Sequence, residues 1–186
     1  METLIPHIRQ HFDAQTLKLG VFRSKGTQVE SWFKGELLAL FAILERIGIV
    51  SDIDREVTVP EGRVDMRLRC GGRTHWVELK HFLVGVQAGQ NWRCVDYMGA
   101  HENLARDAEK LCWRDPADGW WVMVLMTSNP GKVDWEQGLA VFRSKFKAVR
   151  LVTAGSSDHE LTRPDDFPGE YFLAVARVER NAVVSC

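Results

Sequence analysis

The sequence predicts an α/β domain: a helix, a three-stranded meander, a second helix, a further strand, and an extra C-terminal helix and strands. Three observations predict it. Phe33, Leu37, Leu40, Leu44 and Ile47 recur at helical spacing and form one stripe. From Val64 to Cys70 apolar residues alternate with polar ones, as in a strand buried on one face. Trp120 to Thr127 is a nearly continuous apolar run, which suits a central strand covered on both faces.

The elements follow in chain order. The first helix spans about Ser31 to Ile47. Ile53 to Val59 reads as the first strand of the meander, ended by Pro60, which has no N–H to give to a ladder. Val64 to Cys70 is the second strand and Thr74 to Lys80 the third. Gly71-Gly72 joins them, because a two-residue hairpin turn calls for positive φ. Gly85 to Asn91 is polar, with Gly85, Gln87, Gly89 and Gln90, and reads as a loop. Ala100, Leu104, Ala108 and Leu111 mark the second helix, with Glu102 and Arg106 on its outer side. Pro116 and Asp118-Gly119 end that segment. Leu139, Phe142, Phe146 and Val149 suggest another helix, and Leu151 to Thr153 and Tyr171 to Val178 two more strands. Gly155 to Gly169 reads as a surface loop. No repeat, low-complexity tract or boundary-like linker interrupts the chain, so one domain over 1–186 is expected.

Composition narrows the function classes. With 186 residues and 45% hydrophobic content, the chain can bury a sizeable core. Cys70, Cys94, Cys112 and Cys186 show no paired C-x-x-C spacing, which argues against a zinc ribbon or a redox motif. Cys70 and Cys112 lie in apolar patterns, as core thiols of a reducing, cytoplasmic compartment would. The start of the chain lacks the basic segment and long apolar run of a signal peptide. No apolar run reaches the length of a membrane span.

The chemistry concentrates in the hairpin. Side chains two apart share a strand face, so Glu78 and Lys80 point the same way, and Asp65 can face them from the partner strand. Trp76 shares that face, while Val77 and Leu79 make the other apolar. An acid followed at this spacing by Glu-x-Lys also occurs on plain solvated hairpins. Charges set among large apolar neighbours, however, are costly unless paired or metal-bound. Two acids and a lysine converging there suit a divalent cation and the anion it activates. Glu36 borders the apolar stripe of the first helix and leans toward whatever that helix covers, or else its carboxylate reaches water. Glu56 reads as a strand ion-pair partner. His75 and His81 fall on the face opposite Glu78, where packing or surface roles fit better than ligation.

These residues resemble the PD-(D/E)XK, or restriction-endonuclease-like, nuclease superfamily over roughly Gln28 to Ser128. By that resemblance Asp65 matches the first motif acid, Glu78 the second, Lys80 the motif lysine, and Glu36 the helix glutamate that many members add. Val64 stands where the family often has proline. Gln90 is followed by Asn91-Trp92-Arg93-Cys94, with Tyr97 seven residues on, so the Gln-x-x-x-Tyr motif of the exonuclease-like branch is not matched. The resemblance implies a divalent-metal-dependent nuclease acting on DNA as an endonuclease. It also leaves open a catalytically inactive member that binds nucleic acid or a protein partner. It implies Mg²⁺, with Mn²⁺ as a substitute, held by Asp65, Glu78 and the backbone carbonyl of Leu79. Glu36 would hold a water of the metal or a second ion, and Lys80 would orient the attacking water.

The net charge of −1 argues against a strongly basic nucleic-acid coat. It is uneven: residues 1–150 carry +2 and residues 151–186 carry −3. Arg67 and Arg69 share the strand face of Asp65, and Arg143, Lys147 and Arg150 are expected along one side of the later helix. All five are candidate phosphate contacts, each with plain solvation as its alternative. Double-strand cleavage would favour a homodimer, and the acidic tail fits a partner protein that supplies targeting.

Overall fold

The computed structural model describes residues 1–87, 90–99, 104–112, 114–115, 117–127, 132–154 and 171–180; at 85–87, 90–92, 132, 145, 147–154 and 180 it describes the backbone alone. A 3-10 turn, Glu2–Leu4, opens into α1, Ile5–Asp13, and α2, Thr16–Lys25. Then come α3, Glu30–Arg46, β1, Ser51–Val59, β2, Gly62–Cys70, and β3, Arg73–Phe82. Two short strands, β4, Gly85–Gln87, and β5, Gln90–Trp92, precede α4, Cys94–Met98, and α5, Leu104–Leu111. The chain continues through β6, Gly119–Met126, α6, Lys132–Lys145, β7, Phe146–Ala154, and β8, Phe172–Arg180.

The architecture is α/β. A six-stranded mixed sheet runs in the order β1-β2-β3-β6-β8-β7, with β3 and β6 parallel and every other pair antiparallel. Gly71 and Gly72, at φ 59° and 74°, make the tight turn between β2 and β3. β6 is buried along almost its whole length, as its continuous apolar sequence requires. Its odd-numbered side chains, Trp121, Met123 and Leu125, join one core with α1 and α3. Its even-numbered ones, Val122, Val124 and Met126, join a second core with α4, α5 and α6. The sheet therefore lies between two helical layers. Among the described residues no helix is long and apolar enough to cross a membrane.

The ladder between β2 and β3 pairs Met66 with Val77 and Cys70 with Arg73 at its two ends. Beyond Met66 the strands part, and β2 turns over. Val64, of the same parity as Met66, joins the second core while Met66 joins the first. Asp65 stands at this parting.

Several expectations are corrected. Gly85 to Asn91 holds a small antiparallel ribbon, Gly85 against Trp92 and Gln87 against Gln90, because three-residue strands are too short to show periodicity. The later helix stops at Lys145, and Phe146 and Val149 belong to β7. Their helical spacing loses to β-branched content (Val149, Val152, Thr153) and to the ladder with β8. Lys147 and Arg150 therefore lie on a strand and do not share a helix side with Arg143. Ala100, Glu102, Pro116, Cys186 and the expected loop at Gly155 to Gly169 lie outside the described residues.

Candidate active site

Asp65, Glu78 and Lys80 are brought together where β2 and β3 part. Leu79 N–H, which has no ladder partner in β2 there, donates to Asp65 Oδ2 at 2.8 Å. N–H and C=O of one strand residue leave the same edge, so the Leu79 carbonyl leaves on the Asp65 side as well. Asp65 Oδ1 lies 2.7 Å from Lys34 Nζ, and Lys34 is 3.2 Å from Glu30 one helical turn earlier on α3. Glu78 is only 2% exposed. Burial first, and the nearby Asp65 charge second, push its carboxyl up to about 9.

The helix α5 supplies the other half of the cluster. Lys80 Nζ is 3.0 Å from Asp107 Oδ2. Lys110 Nζ is 2.8 Å from Glu78 Oε1 and 2.9 Å from Asp107 Oδ1. It also donates to the backbone carbonyl of Arg63 at 2.9 Å. The Lys110 ammonium is thus the cation that meets the buried Glu78 Oε1. Burial disfavours the charged form of all three lysines, yet the carboxylates beside them outweigh it. Lys34, Lys80 and Lys110 are each held above the ordinary lysine range. The glutamate that adds to the potential at Lys80 is Glu30.

Glu36 is not brought to this cluster. His11 Nε2 lies 2.8 Å from its Oε2 and Lys18 Nζ 3.4 Å from its Oε1. At 3.6 residues per turn, positions two apart differ by about 200° around the helix. Lys34 and Glu36 thus occupy opposite margins of the apolar stripe; Lys34 faces the hairpin and Glu36 faces α1 and α2. Sequence reasoning missed Glu30, Lys34, Asp107 and Lys110. Their signals were the i,i+4 pair Glu30–Lys34 and the i,i+3 pair Asp107–Lys110, the latter flanking Ala108 and Leu111.

The arginines of β2 have partners elsewhere. Arg67 pairs with Asp54, Arg69 lies 3.7 Å from Asp52, and Arg63 lies 3.4 Å from Glu56, so three ion pairs step across β1 and β2 on an exposed face. Arg67 and Arg114 each sit 5.7 Å from the Trp76 ring, whose indole N–H donates to Asp118 Oδ2 at 2.7 Å. His75 and His81 do lie on the opposite face, in the first core. Burial lowers each to about 4. Trp121 Nε1–H donates to His75 Nδ1 at 3.1 Å, and Thr127 Oγ1 lies 3.1 Å from His81 Nε2. Arg143 is on α6, and for Lys147 and Arg150 only the strand backbone is described.

Asp65, Glu78 and the Leu79 carbonyl offer an all-oxygen donor set, and the buried Glu78 oxygen already has a cation, the Lys110 ammonium, against it; both suit a hard cation. Among the described residues, no three His, Cys, Asp or Glu side chains gather closely enough to hold a metal ion as they stand. The ammonium groups of Lys34 and Lys110 occupy the carboxylate oxygens instead. No family model, curated protein or solved structure matches this chain.

Proposed function

We propose that the protein is a divalent-metal-dependent nuclease of the restriction-endonuclease-like type, hydrolysing phosphodiester bonds of DNA as an endonuclease. One observation carries the reading: Asp65, Glu78 and Lys80 converge where β2 and β3 part, with Glu78 buried. The order of α3, β1, β2, β3, α5 and β6 supports it, being the helix, meander, helix and strand that such a core requires. Asp65, Glu78 and the Leu79 carbonyl would hold Mg²⁺ or Mn²⁺. When bound, the ion polarises the phosphate and lowers the pKa of water. Asp107 fixes Lys80 and keeps it protonated, so Lys80 acts as an ammonium. It orients the attacking water and stabilises charge developing on the phosphate oxygens. In this reading Glu30 replaces Glu36 as the carboxylate that α3 contributes to the field of the site.

A second reading has its own observation. Glu78, Asp65 and Asp107 each already have an ammonium partner, so the charges are met without a metal. This favours a catalytically inactive member of the same fold that binds nucleic acid or a partner protein. The deciding experiment incubates the protein with supercoiled, linear and single-stranded DNA and with RNA, each with Mg²⁺ and with Mn²⁺. Metal-dependent cutting that Asp65→Asn abolishes supports the nuclease. Retained nucleic-acid binding with no cutting under any condition supports the second reading.

A further inference from the structure

Lys110 sits in a cage of three oxygens from three different elements: Glu78 Oε1 on β3, Asp107 Oδ1 on α5 and the Arg63 carbonyl on β2. All three lie within 2.9 Å of its ammonium. That is a cation's environment. The two motif acids differ in how far they depend on such a cation. Asp65 accepts a peptide N–H at 2.8 Å and is 11% exposed, whereas the Glu78 side chain is 3% exposed and is met at 2.8 Å by the Lys110 ammonium. A carboxyl buried in that position ionises only against a cation.

We propose that Lys110 is a tethered counter-ion that fills the cation position at Glu78 in the metal-free protein and leaves it when a divalent ion enters. The inference rests on the metal-dependent reading above and assigns the regulation of that same site. Two cations cannot share one buried carboxylate oxygen: a divalent ion takes oxygens at about 2.1 Å and would repel an ammonium a few Å away. The lysine can yield, because four methylenes carry its charge and its side chain is 17% exposed. Asp107 lies within the same cage and keeps hold of the displaced ammonium at the rim. The metal affinity of the wild type is therefore lower than its donor set alone would give, and loading the ion moves one positive charge to the rim of the site.

Lys110→Met keeps the length of the side chain and removes the charge. Calorimetric titration of the full chain with MnCl₂ and with MgCl₂ should show the dissociation constant tightening by roughly tenfold relative to the wild type, the size of a typical coupling between two sites. The double variant Asp65→Asn/Lys110→Met should lose that gain. If the wild type binds the ions and Lys110→Met binds them no more tightly, the tethered counter-ion is wrong while the metal site stands. If neither protein binds either ion, the metal-dependent reading fails and this inference falls with it. The variant leaves Glu78 uncompensated and is prone to unfold without metal, so a second measurement uses the wild type. The Lys110 ammonium resonance, assigned by its loss in Lys110→Arg, should shift on adding MgCl₂ in proportion to ion bound. A resonance that stays fixed while calorimetry reports binding overturns the proposal.

Discussion

Two sets of ion pairs lie a few residues apart on this sheet and behave differently. Across β1 and β2, three arginines meet three acids on an exposed face; Arg69 and Asp52, for instance, are 53% and 58% exposed. Where β2 and β3 part, three lysines meet Asp65, Glu78 and Asp107 between the helical layers, and only there does a carboxyl rise to about 9. The residue types are nearly the same. What differs is water, and the comparison teaches that desolvation selects which charges are available for chemistry.

The largest expected effect would break the comparison if absent. In the nuclease reading, Lys80→Met should lower cleavage by about two to three orders of magnitude, as for the loss of one preorganised electrostatic group. Arg67→Gln, in the exposed ladder, should leave the rate constant nearly unchanged. Turnover measured with saturating Mn²⁺ separates them, and equal losses would show that the ladder belongs to the site.

Stability gives the next contrast. Lys110 is the shared donor to the Arg63 carbonyl and the ammonium beside Asp107 and Glu78, so Lys110→Ala, which leaves those part-buried oxygens without it, should cost the metal-free protein about 2 kcal/mol. Arg69→Ala should cost under about 1 kcal/mol, because water already screens that pair. Urea unfolding of both variants in EDTA checks the difference.

The dependence on pH follows in sign from the same burial. The folded protein keeps a proton on Glu78 up to about pH 9, whereas the unfolded chain releases it near the ordinary carboxyl value. The folded state thus binds more protons across that interval, and stability falls as pH rises. His75 and His81 act oppositely and lower down. Burial lowers them to about 4, so stability is lost as pH falls from about 6.5 toward 4. Between about pH 6.5 and 9 the falling Glu78 slope is opposed by that of the Met1 amine, which burial holds below its ordinary value, and Glu78→Gln should remove the falling component from metal-free melting curves. A falling slope that survives the substitution would assign it to another group.

The smallest effect concerns binding. If Arg67 touches phosphate, Arg67→Gln should reduce the slope of log K against log salt by about one unit and weaken all sequences alike. An unchanged slope returns the ladder to plain solvation.

The sequence revealed much of this, and its limits are physical. The hairpin was legible because alternation, a Gly-Gly turn and a three-residue motif are local properties. β6 was legible because burial on both faces leaves an unbroken apolar run. Glu36 was misplaced because it borders the same stripe as Lys34, and only the packing of α1 and α2 decides which margin faces the hairpin. Those helices left a weak trace: Ile5, Ile8 and Phe12 are buried at helical spacing, but α2 leaves Leu17 84% exposed. Asp107 and Lys110 were missed, since nothing local says that α5 lies over Glu78. At β7 the helical spacing of Phe142, Phe146 and Val149 was real but subordinate to a ladder formed with residues about thirty positions later.

The parallel pairing of β3 with β6 also orders events in time. β1, β2 and β3 are joined by tight turns and can zip locally, whereas His75 meets Gly119 only after the intervening chain has looped back. On the early meander Glu78 is an open, hydrated carboxylate. Docking of β6 and α5 dehydrates it in the same movement that delivers Lys110. The folding barrier should therefore feel Lys110: in stopped-flow refolding, Lys110→Met should slow the forward rate as well as speed unfolding, whereas Arg69→Ala changes neither appreciably.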